Sequence, residues 1–345
     1  MGRPIRVGTR NRDGSGRGRH HVRNRNLAAA AAALALTATG CVTVHGEREV
    51  VPTATEAEAE RALTEFTTAY NDRFRTYDPA LHADRLAGPL SAVNRAGMTS
   101  QRAKSPGGNP NHRALELTDA SFSIPKKAGW PRYFLADVDA NWDGGRQQDE
   151  RWLLVFLREG PGEKWRVAYL NTMAPDRVPE LKTDGDGFAV PVPVDTTSLV
   201  SAPSALAKNY SSFLQSGAPP LFKDGPDTSQ WREARRRPSQ PGTTTQWIDQ
   251  PVNSKDSAPL GFATKDGGAL VFFTLRSYER QTAAKGVQLS VHPDVKPLMT
   301  GEVKKSVTKE RVSGLAAHVP AGSGGADGKV DVLDRMSGLT SVKGE

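Results

Sequence analysis

Cys41 is the residue whose chemistry is most clearly set by its neighbours in this sequence. It is the only cysteine among 345 residues, and a thiolate is a strong nucleophile that can accept a covalent group. Small residues fill positions 38–40, so an enzyme can approach the backbone closely there. Positions 27–39 carry no charge, and Arg23 and Arg25 precede them. These residues together have the composition of a secretory signal that ends at the cysteine.

The region around Cys41 resembles a bacterial lipoprotein signal. An arginine-bearing segment followed by a short apolar run is typical of a secretory signal, whereas a membrane-spanning helix needs roughly 20 apolar residues. The resemblance implies a signal peptide at 1–40, a diacylglycerol on Cys41, and a lipid anchor at the extracytoplasmic face of the cell membrane. Two or more acyl chains make such an anchor stable. Residues 1–21 exceed what the signal needs, which favours a true start near Val22.

The charge of the chain is concentrated in its first 41 residues. The whole sequence has a formal charge of +8, but residues 1–41 contain eight arginines and a single acidic residue, Asp13. The remaining chain is nearly neutral, with 38 basic and 37 acidic residues. A balanced charge does not favour a polyanionic partner, so we predict that the protein binds no nucleic acid.

Alternating aspartates form one candidate site in the mature chain. Asp137 and Asp139 stand two residues apart, with Asn141 and Asp143 beyond them, a spacing that resembles part of a calcium loop. However, Trp142 stands where such a loop needs glycine, and no glutamate closes the ligand set. On a strand, residues 137, 139 and 141 share one face. We interpret that face as solvated; the alternative is that it lines the concave side of a curled sheet, where a carboxylate could act as a base.

Other catalytic and metal-binding patterns are weak or absent. No Gly-x-Ser-x-Gly sequence follows Cys41. Ser-x-x-Lys occurs at 123–126 and 306–309, but both copies fall in strand-like segments and no Lys-Thr-Gly partner follows. The five histidines after Cys41 are scattered without ligand spacing. We therefore predict no metal, no cofactor and no catalytic residue.

A cluster of arginines beside a tryptophan is the strongest local charge of the mature chain. The cluster is Trp231, Arg232, Arg235, Arg236 and Arg237. One hypothesis is contact with an anion, such as a lipid headgroup or a wall polymer, with the indole available for stacking. The alternative is a solvated helix end, where cations are favoured by the helix dipole.

The elements that must position these residues begin at Thr55. Thr55 and Glu58 have the spacing of a capping box, which predicts the start of a helix of about 20 residues. Its apolar stripe recurs at helical spacing: Leu63, Phe66, Tyr70 and Phe74. Asp78-Pro79 predicts a second helix. Four strands should then follow: 114–122, 133–142, 150–158 and 165–171.

The run from Trp152 to Leu157 is apolar throughout, which predicts a central strand covered on both faces. A Gly- and Pro-rich linker is predicted at 179–198, after which the same order of elements returns. Ser201 precedes a helix that should end near Gly217, and Asp227 begins a shorter one. The predicted strands of this half are 244–248, 260–264, 269–276, 287–291 and 303–318.

Helices followed by a curled antiparallel sheet are the order of an α+β fold, and here the order occurs twice. We predict a tether at 41–54, domains at 55–178 and 199–320, and a Gly-rich tail at 321–345 with a possible edge strand. The order, together with the strand Trp165–Tyr169, resembles the NTF2-like or cystatin-like superfamilies. In tandem it resembles surface lipoproteins of high-GC actinobacteria. The NTF2-like resemblance implies a possible pocket under each long helix, near Tyr70, Tyr210, Asp137 and Asp139.

These features lead to three hypotheses about function. The leading one is a non-catalytic surface lipoprotein that binds a protein or ligand of the cell envelope. The second is an NTF2-like enzyme that uses a carboxylate or histidine as a base in the pocket under the long helix. The third is a carrier of lipid or glycolipid, which requires a cavity for acyl chains. A deep pocket lined by Tyr70 or Tyr210 would favour the enzyme, whereas a filled one would favour the binder.

Overall fold

The computed structural model describes residues 49–141, 150–237, 240–322 and 328–345. The first strand, β1 (Val50–Pro52), lies within the predicted tether, and this part of the prediction is wrong because β1 is a fixed part of the fold. It pairs with β3 (Lys126–Ala128). Directly after β1, the buried Thr53 donates its hydroxyl to the carbonyl of Tyr133 at 2.7 Å.

The first helix, α1, spans Glu56–Thr76 and confirms the predicted capping box. The hydroxyl of Thr55 accepts from the amide of Glu58, and the Glu58 carboxylate accepts from the amide of Thr55. These bonds satisfy amides that the first helical turn leaves free. The predicted second helix is divided in two: a 3-10 helix at Pro79–Arg85 and α2 at Gly88–Lys104.

The first sheet is an antiparallel meander in the order β2-β4-β5-β6. Its strands are β2 (Leu117–Ser123), β4 (Arg132–Ala140), β5 (Arg151–Arg158) and β6 (Arg166–Met173). Strand β5 is buried on both faces, as predicted. Trp152, Leu154 and Phe156 face α1, and the odd-numbered residues face the other way.

The second half begins with α3 (Pro203–Ser216), which ends at Gly217 as predicted. Gly217 has a positive φ of 84°, a conformation that glycine adopts without a steric penalty. A π-helical turn at Pro226–Gln230 leads into the short α4 (Trp231–Ala234). The strands that follow are β7 (Thr243–Val252), β8 (Leu260–Ala263), β9 (Ala269–Ala283), β10 (Met299–Thr300), β11 (Ser306–Val319) and β12 (Asp331–Gly344).

The second sheet has the order β10-β12-β11-β9-β7, with β8 also paired to β9. The predicted strand at 287–291 is absent from it. The side chain of Gln240 bonds this segment instead, donating to the carbonyl of Gln288 and accepting from the amide of Ser290. The last strand, β12, lies in the predicted tail; the two-residue β10 pairs with its outer side only at Val342 and Lys343.

Helices and sheets are stacked in four layers: α1, the first sheet, the second sheet and α3. Leu63, Phe66, Tyr70, Leu154 and Phe156 lie together in the cluster under α1. The cluster under α3 contains Leu206, Tyr210, Phe213, Val271 and Phe273.

A third cluster lies between the two sheets and was not predicted. It joins Leu153 and Val155 of β5 to Leu270 and Phe272 of β9. The two halves therefore share a buried layer, and residues 49–345 belong to one compact unit. The boundary between two domains remains a prediction from the sequence.

The predicted linker at 179–198 is bonded to β8 along its length. Val192 donates its amide to Gly261, Ala263 donates to Val190, and Lys182 donates to Ala263. The assumption that few contacts cross this segment is wrong, because its free backbone groups are used to extend the edge of β8.

Candidate functional site

The most developed concave site is an apolar cleft of about 420 Å³ between strands of the first sheet and two segments next to β8. One wall is made by strands β4, β5 and β6 of the first sheet, and the opposite wall by residues 191–194 and 255–260. The volume falls within the range of about 300–1,000 Å³ that is typical of sites for small molecules.

The wall at 191–194 is rich in proline, which explains how backbone can line an apolar surface. Pro191, Pro193 and Pro259 all line the cleft, and proline has no amide hydrogen to leave unsatisfied. Between the first two, the amide of Val192 donates to Gly261 at 3.0 Å. The wall therefore presents side-chain carbon to the cleft without exposing unpaired donors.

Two tyrosines form much of the floor. The hydroxyl of Tyr169 lies 2.9 Å from that of Thr274 and 3.3 Å from the carbonyl of Ser257. The ring of Tyr133 packs edge-to-face on Phe262, with 5.4 Å between centroids. Burial raises the pKa of both phenols above the ordinary value, so they are neutral at physiological pH.

The charged residues of the cleft lie at its rim. The ammonium of Lys255 is 2.5 Å from Glu159, and Lys127 donates to the carbonyl of Ala128. Asp256 accepts from the amide of Gly88 at the start of α2 and from two serine hydroxyls, those of Ser254 and Ser257. This carboxylate is used to hold the helix start. The site can therefore bind an apolar group and place a cation beside it.

Asp137 and Asp139 do not line this cleft. Both bind Arg151, with distances of 2.7 Å to Nε and 2.8 Å to Nη1, and Asp119 binds the same guanidinium at 2.7 Å. Asp139 is half exposed, so the pair forms a partly solvated ionic network on one face of β4. Asn141 caps a loop by accepting from Glu116, and Asp143 lies outside the described residues.

Tyr70 lies in a filled core rather than in a pocket. Its ring packs against Phe66, Phe74 and Trp152, with centroid distances of 4.4 to 6.3 Å. Burial raises its pKa to about 12. Tyr210 is also fully buried, and its hydroxyl donates to the carbonyl of Asp227. The aromatic residues under each long helix thus serve packing, and neither tyrosine lines the cleft described above.

Arg73 and His82 form a buried polar group beside Tyr70 that sequence reasoning missed. Both are essentially inaccessible to solvent, and neither the guanidinium nor the imidazole nitrogens have a hydrogen-bond partner among the described residues. The guanidinium lies 4.2 Å from the ring centroid of Phe74, which offsets part of the cost of burial. Burial lowers the pKa of Arg73 to about 10 and that of His82 to about 3.

The arginine cluster is largely engaged within the protein. Arg235 is buried and binds Asp249 at 2.6 Å, while its guanidinium stacks on Trp247. Trp231 packs edge-to-face on Trp247 and carries Arg335 over its ring at 4.4 Å.

The other arginines of the cluster lie nearer to solvent. Arg232 donates to the carbonyl of Ser216 at the end of α3, and Arg236 pairs with Glu233 on its own helical turn. Arg237 is exposed. Anion contact remains a prediction, and the exposed arginines at 236 and 237 are the ones whose placement allows it.

Cys41 lies outside the described residues, so the predicted lipidation stays a prediction from the sequence. Within the described part of the chain, no helix is both long enough and apolar enough to cross a membrane. In the same part, no group of three or more His, Cys, Asp or Glu side chains is arranged to hold a metal ion.

The sequence carried a signal for the cleft that was read differently. Pro191-Val-Pro193 lies in the segment that the sequence predicts as a linker. That this segment pairs with β8, through Pro191 and Phe262, depends on long-range pairing, which a local pattern does not specify.

Comparison with known proteins defines the class to which this chain belongs. Residues 50–344 match the family model described as a domain of unknown function, DUF8094. The chain is 52% identical over 308 residues to an uncharacterised lipoprotein of Streptomyces coelicolor, covering 89% of this chain and 91% of the relative. It is 46% identical, with the same coverage, to an uncharacterised lipoprotein of Streptomyces avermitilis.

The chain is therefore a member of the DUF8094 family and resembles Streptomyces lipoproteins over almost all of its length. A more distant relative, a second uncharacterised lipoprotein of Streptomyces coelicolor, is 23% identical over 284 residues. No solved structure matches the chain.

Proposed function

We propose that this lipoprotein is held at the extracytoplasmic face of the cell membrane and binds the apolar part of a small amphipathic molecule without transforming it. The observation that carries the proposal is the cleft of about 420 Å³ beside the first sheet, with walls of aliphatic, aromatic and proline side chains. Apolar walls with a few charged groups at one end are the usual composition of such binding sites.

Binding is favoured over catalysis because the cleft contains no group placed as a base. Asp256 is occupied by the start of α2, and the phenols of Tyr133 and Tyr169 are held neutral by burial. The enzyme hypothesis needed an open pocket under a long helix, whereas Tyr70 and Tyr210 are surrounded by packed side chains. A ligand-binding lipoprotein unites the first and third hypotheses drawn from the sequence.

We also propose that the two halves are tandem α+β units of the NTF2-like or cystatin-like type. The support is that α1 and α3 each lie across one antiparallel sheet and bury its outer face. An experimental structure in which residues 55–178 and 199–345 superpose on each other would support the proposal, and different strand orders in the two would oppose it.

Filling the cleft should abolish binding. Ala258 lines the cleft and is exposed, so Ala258→Trp adds a large side chain to the cavity without disturbing the core. We expect at least a tenfold loss of the small molecule that co-purifies with the mature chain, measured by native mass spectrometry and solvent extraction. The matched control is Ala284→Trp, at an exposed alanine that does not line the cleft. Equal ligand content in the two variants would contradict the proposal.

Removing the thiol of Cys41 should release the protein from the membrane. Each buried methylene of an acyl chain contributes about 0.8 kcal/mol to anchoring, and Cys41→Ser has no site for these chains. We expect this variant in soluble or uncleaved form on membrane fractionation, while Thr43→Ser stays membrane-bound. Normal processing and unchanged membrane fractionation of Cys41→Ser would show that the anchor lies elsewhere.

A further inference from the structure

The cleft opens beside the strand that connects the folded unit to Cys41. In the pairing of β1 with β3, Val51 lies opposite Lys127, and Lys127 is at the rim of the cleft. Val50 follows Cys41 by nine positions in the sequence, and nine steps of extended chain span at most about 30 Å. A lipid on Cys41 therefore keeps this rim within about that distance of the bilayer surface.

The surface around the rim has the composition of a membrane interface. Val50, 62% exposed, and Val194, 39% exposed, are two of the few large aliphatic side chains that face solvent in the described part of the chain. Trp130 lies between two guanidinium groups, with Arg132 at 4.7 Å and Arg158 at 5.3 Å from its ring. Exposed aliphatic side chains beside a partly exposed tryptophan and its two arginines favour the headgroup region of a bilayer.

The rim also places cations where a headgroup would lie. The side chain of Lys255 is 67% exposed even though its ammonium contacts Glu159, and Lys127, which has partners within the protein, also lines the cleft. The carboxylate nearest the cleft, Asp256, is directed to the start of α2. An anionic headgroup at the mouth would therefore meet ammonium groups, while its acyl chain entered between apolar walls.

We infer that the mouth of the cleft docks on the bilayer and that its occupant is an acyl chain of an anionic phospholipid taken from that bilayer. Lys127 and Lys255 contact the phosphate, and Val50, Trp130 and Val194 rest among the headgroups. The inference rests on the proposed function, because it requires the cleft to hold an apolar chain.

The experiment uses the mature chain from residue 42 without its acyl groups, since the described unit has its own core. Delipidated protein is floated with vesicles of phosphatidylcholine alone and of phosphatidylcholine with phosphatidylglycerol, then re-isolated and extracted. We expect binding to the anionic vesicles and phosphatidylglycerol in the re-isolated protein. The double variant Lys127→Glu and Lys255→Glu should lose at least about tenfold in vesicle partition.

The matched control is the double variant Lys285→Glu and Lys296→Glu, which makes the same charge change at exposed lysines away from the cleft. It should keep wild-type partition within about twofold. Lys255→Glu alone should show an intermediate loss of vesicle partition. Because this side chain is mostly exposed, the single variant should fold normally even if the double variant does not. Equal losses in both double variants, or equal binding to both kinds of vesicle, would overturn the inference.

The result separates this inference from the proposed function. If vesicle partition is unaffected by the rim variants while Ala258→Trp still empties the cleft, membrane docking is refuted and ligand binding stands. If Ala258→Trp retains its ligand, the cleft is not the binding site, and both ideas fail regardless of the vesicle data.

Discussion

Replacing Phe272 by alanine is expected to lower the free energy of unfolding by about 3–5 kcal/mol and to weaken both halves of the chain together. Phe272 is fully buried between the two sheets, and its ring packs 5.7 Å from that of Tyr169 on the first sheet. Truncation removes apolar contact from both sheets at once. Because the cavity lies in a layer that both halves share, neither half can unfold without disturbing the other.

Calorimetry and hydrogen exchange measure this result. A single unfolding transition should move to lower temperature, and amide protection should fall in β5 and in β11 alike. Ile248→Ala is the control, because Ile248 is 54% exposed and a surface change should stay within about 0.5 kcal/mol. Two separate transitions, of which only the second-half transition moves, would show that the halves are independent domains.

Local patterns in the sequence predict the elements well. The capping box at Thr55 and the helical stripe through Phe66 predict α1, and the apolar run at 152–157 predicts a strand buried on both faces. Each of these features depends on residues that are close together in the sequence, within a single helix or strand. Local physical chemistry is enough to determine them.

The sequence does not say what covers a buried face. Leu153 and Val155 had to be buried, but nothing near them indicates that Leu270 and Phe272, more than 100 positions away, supply the cover. The same limit applies to the cleft, which is lined by residues from 127–169, 191–194 and 255–260. Pairing over such distances depends on the summed fit of whole sheets rather than on any local signal.

The polar cluster beside Tyr70 was missed for a related reason. In the sequence Arg73 is a basic residue in the last turn of a helix, where it is normally solvated and favoured by the dipole. In the structure the 3-10 helix at 79–85 folds back and carries His82 against the same aromatic rings. Arg73 is thus buried because the segment that follows α1 packs back on it. The charge pattern alone would predict that Arg73 is exposed.

Lowering the pH from 7 to 5 is expected to destabilise the protein by about 2 kcal/mol through His82 alone. Its pKa is lowered from 6.5 to about 3, mainly by burial and secondly by the charge of Arg73. The folded state therefore keeps the imidazole neutral, whereas the unfolded state takes up a proton below about pH 6.5. The contribution of His82 to the free energy of unfolding is fully present above that pH. It is lost as the pH falls towards 3, at about 1.4 kcal/mol per pH unit.

The variant His82→Phe isolates this contribution from those of other groups that titrate in the same range. Its ring can pack between Phe66 and Tyr70 as the imidazole does, with centroids now 5.1 and 6.1 Å away, and it binds no proton. The difference between wild type and variant, measured by urea unfolding at pH 7, 6 and 5, should therefore grow as the pH falls. His292→Phe, a change at an exposed histidine, should keep the wild-type slope. Parallel curves for wild type and His82→Phe would mean that His82 is protonated in the folded protein, and that solvent or an anion reaches the buried site beside Arg73.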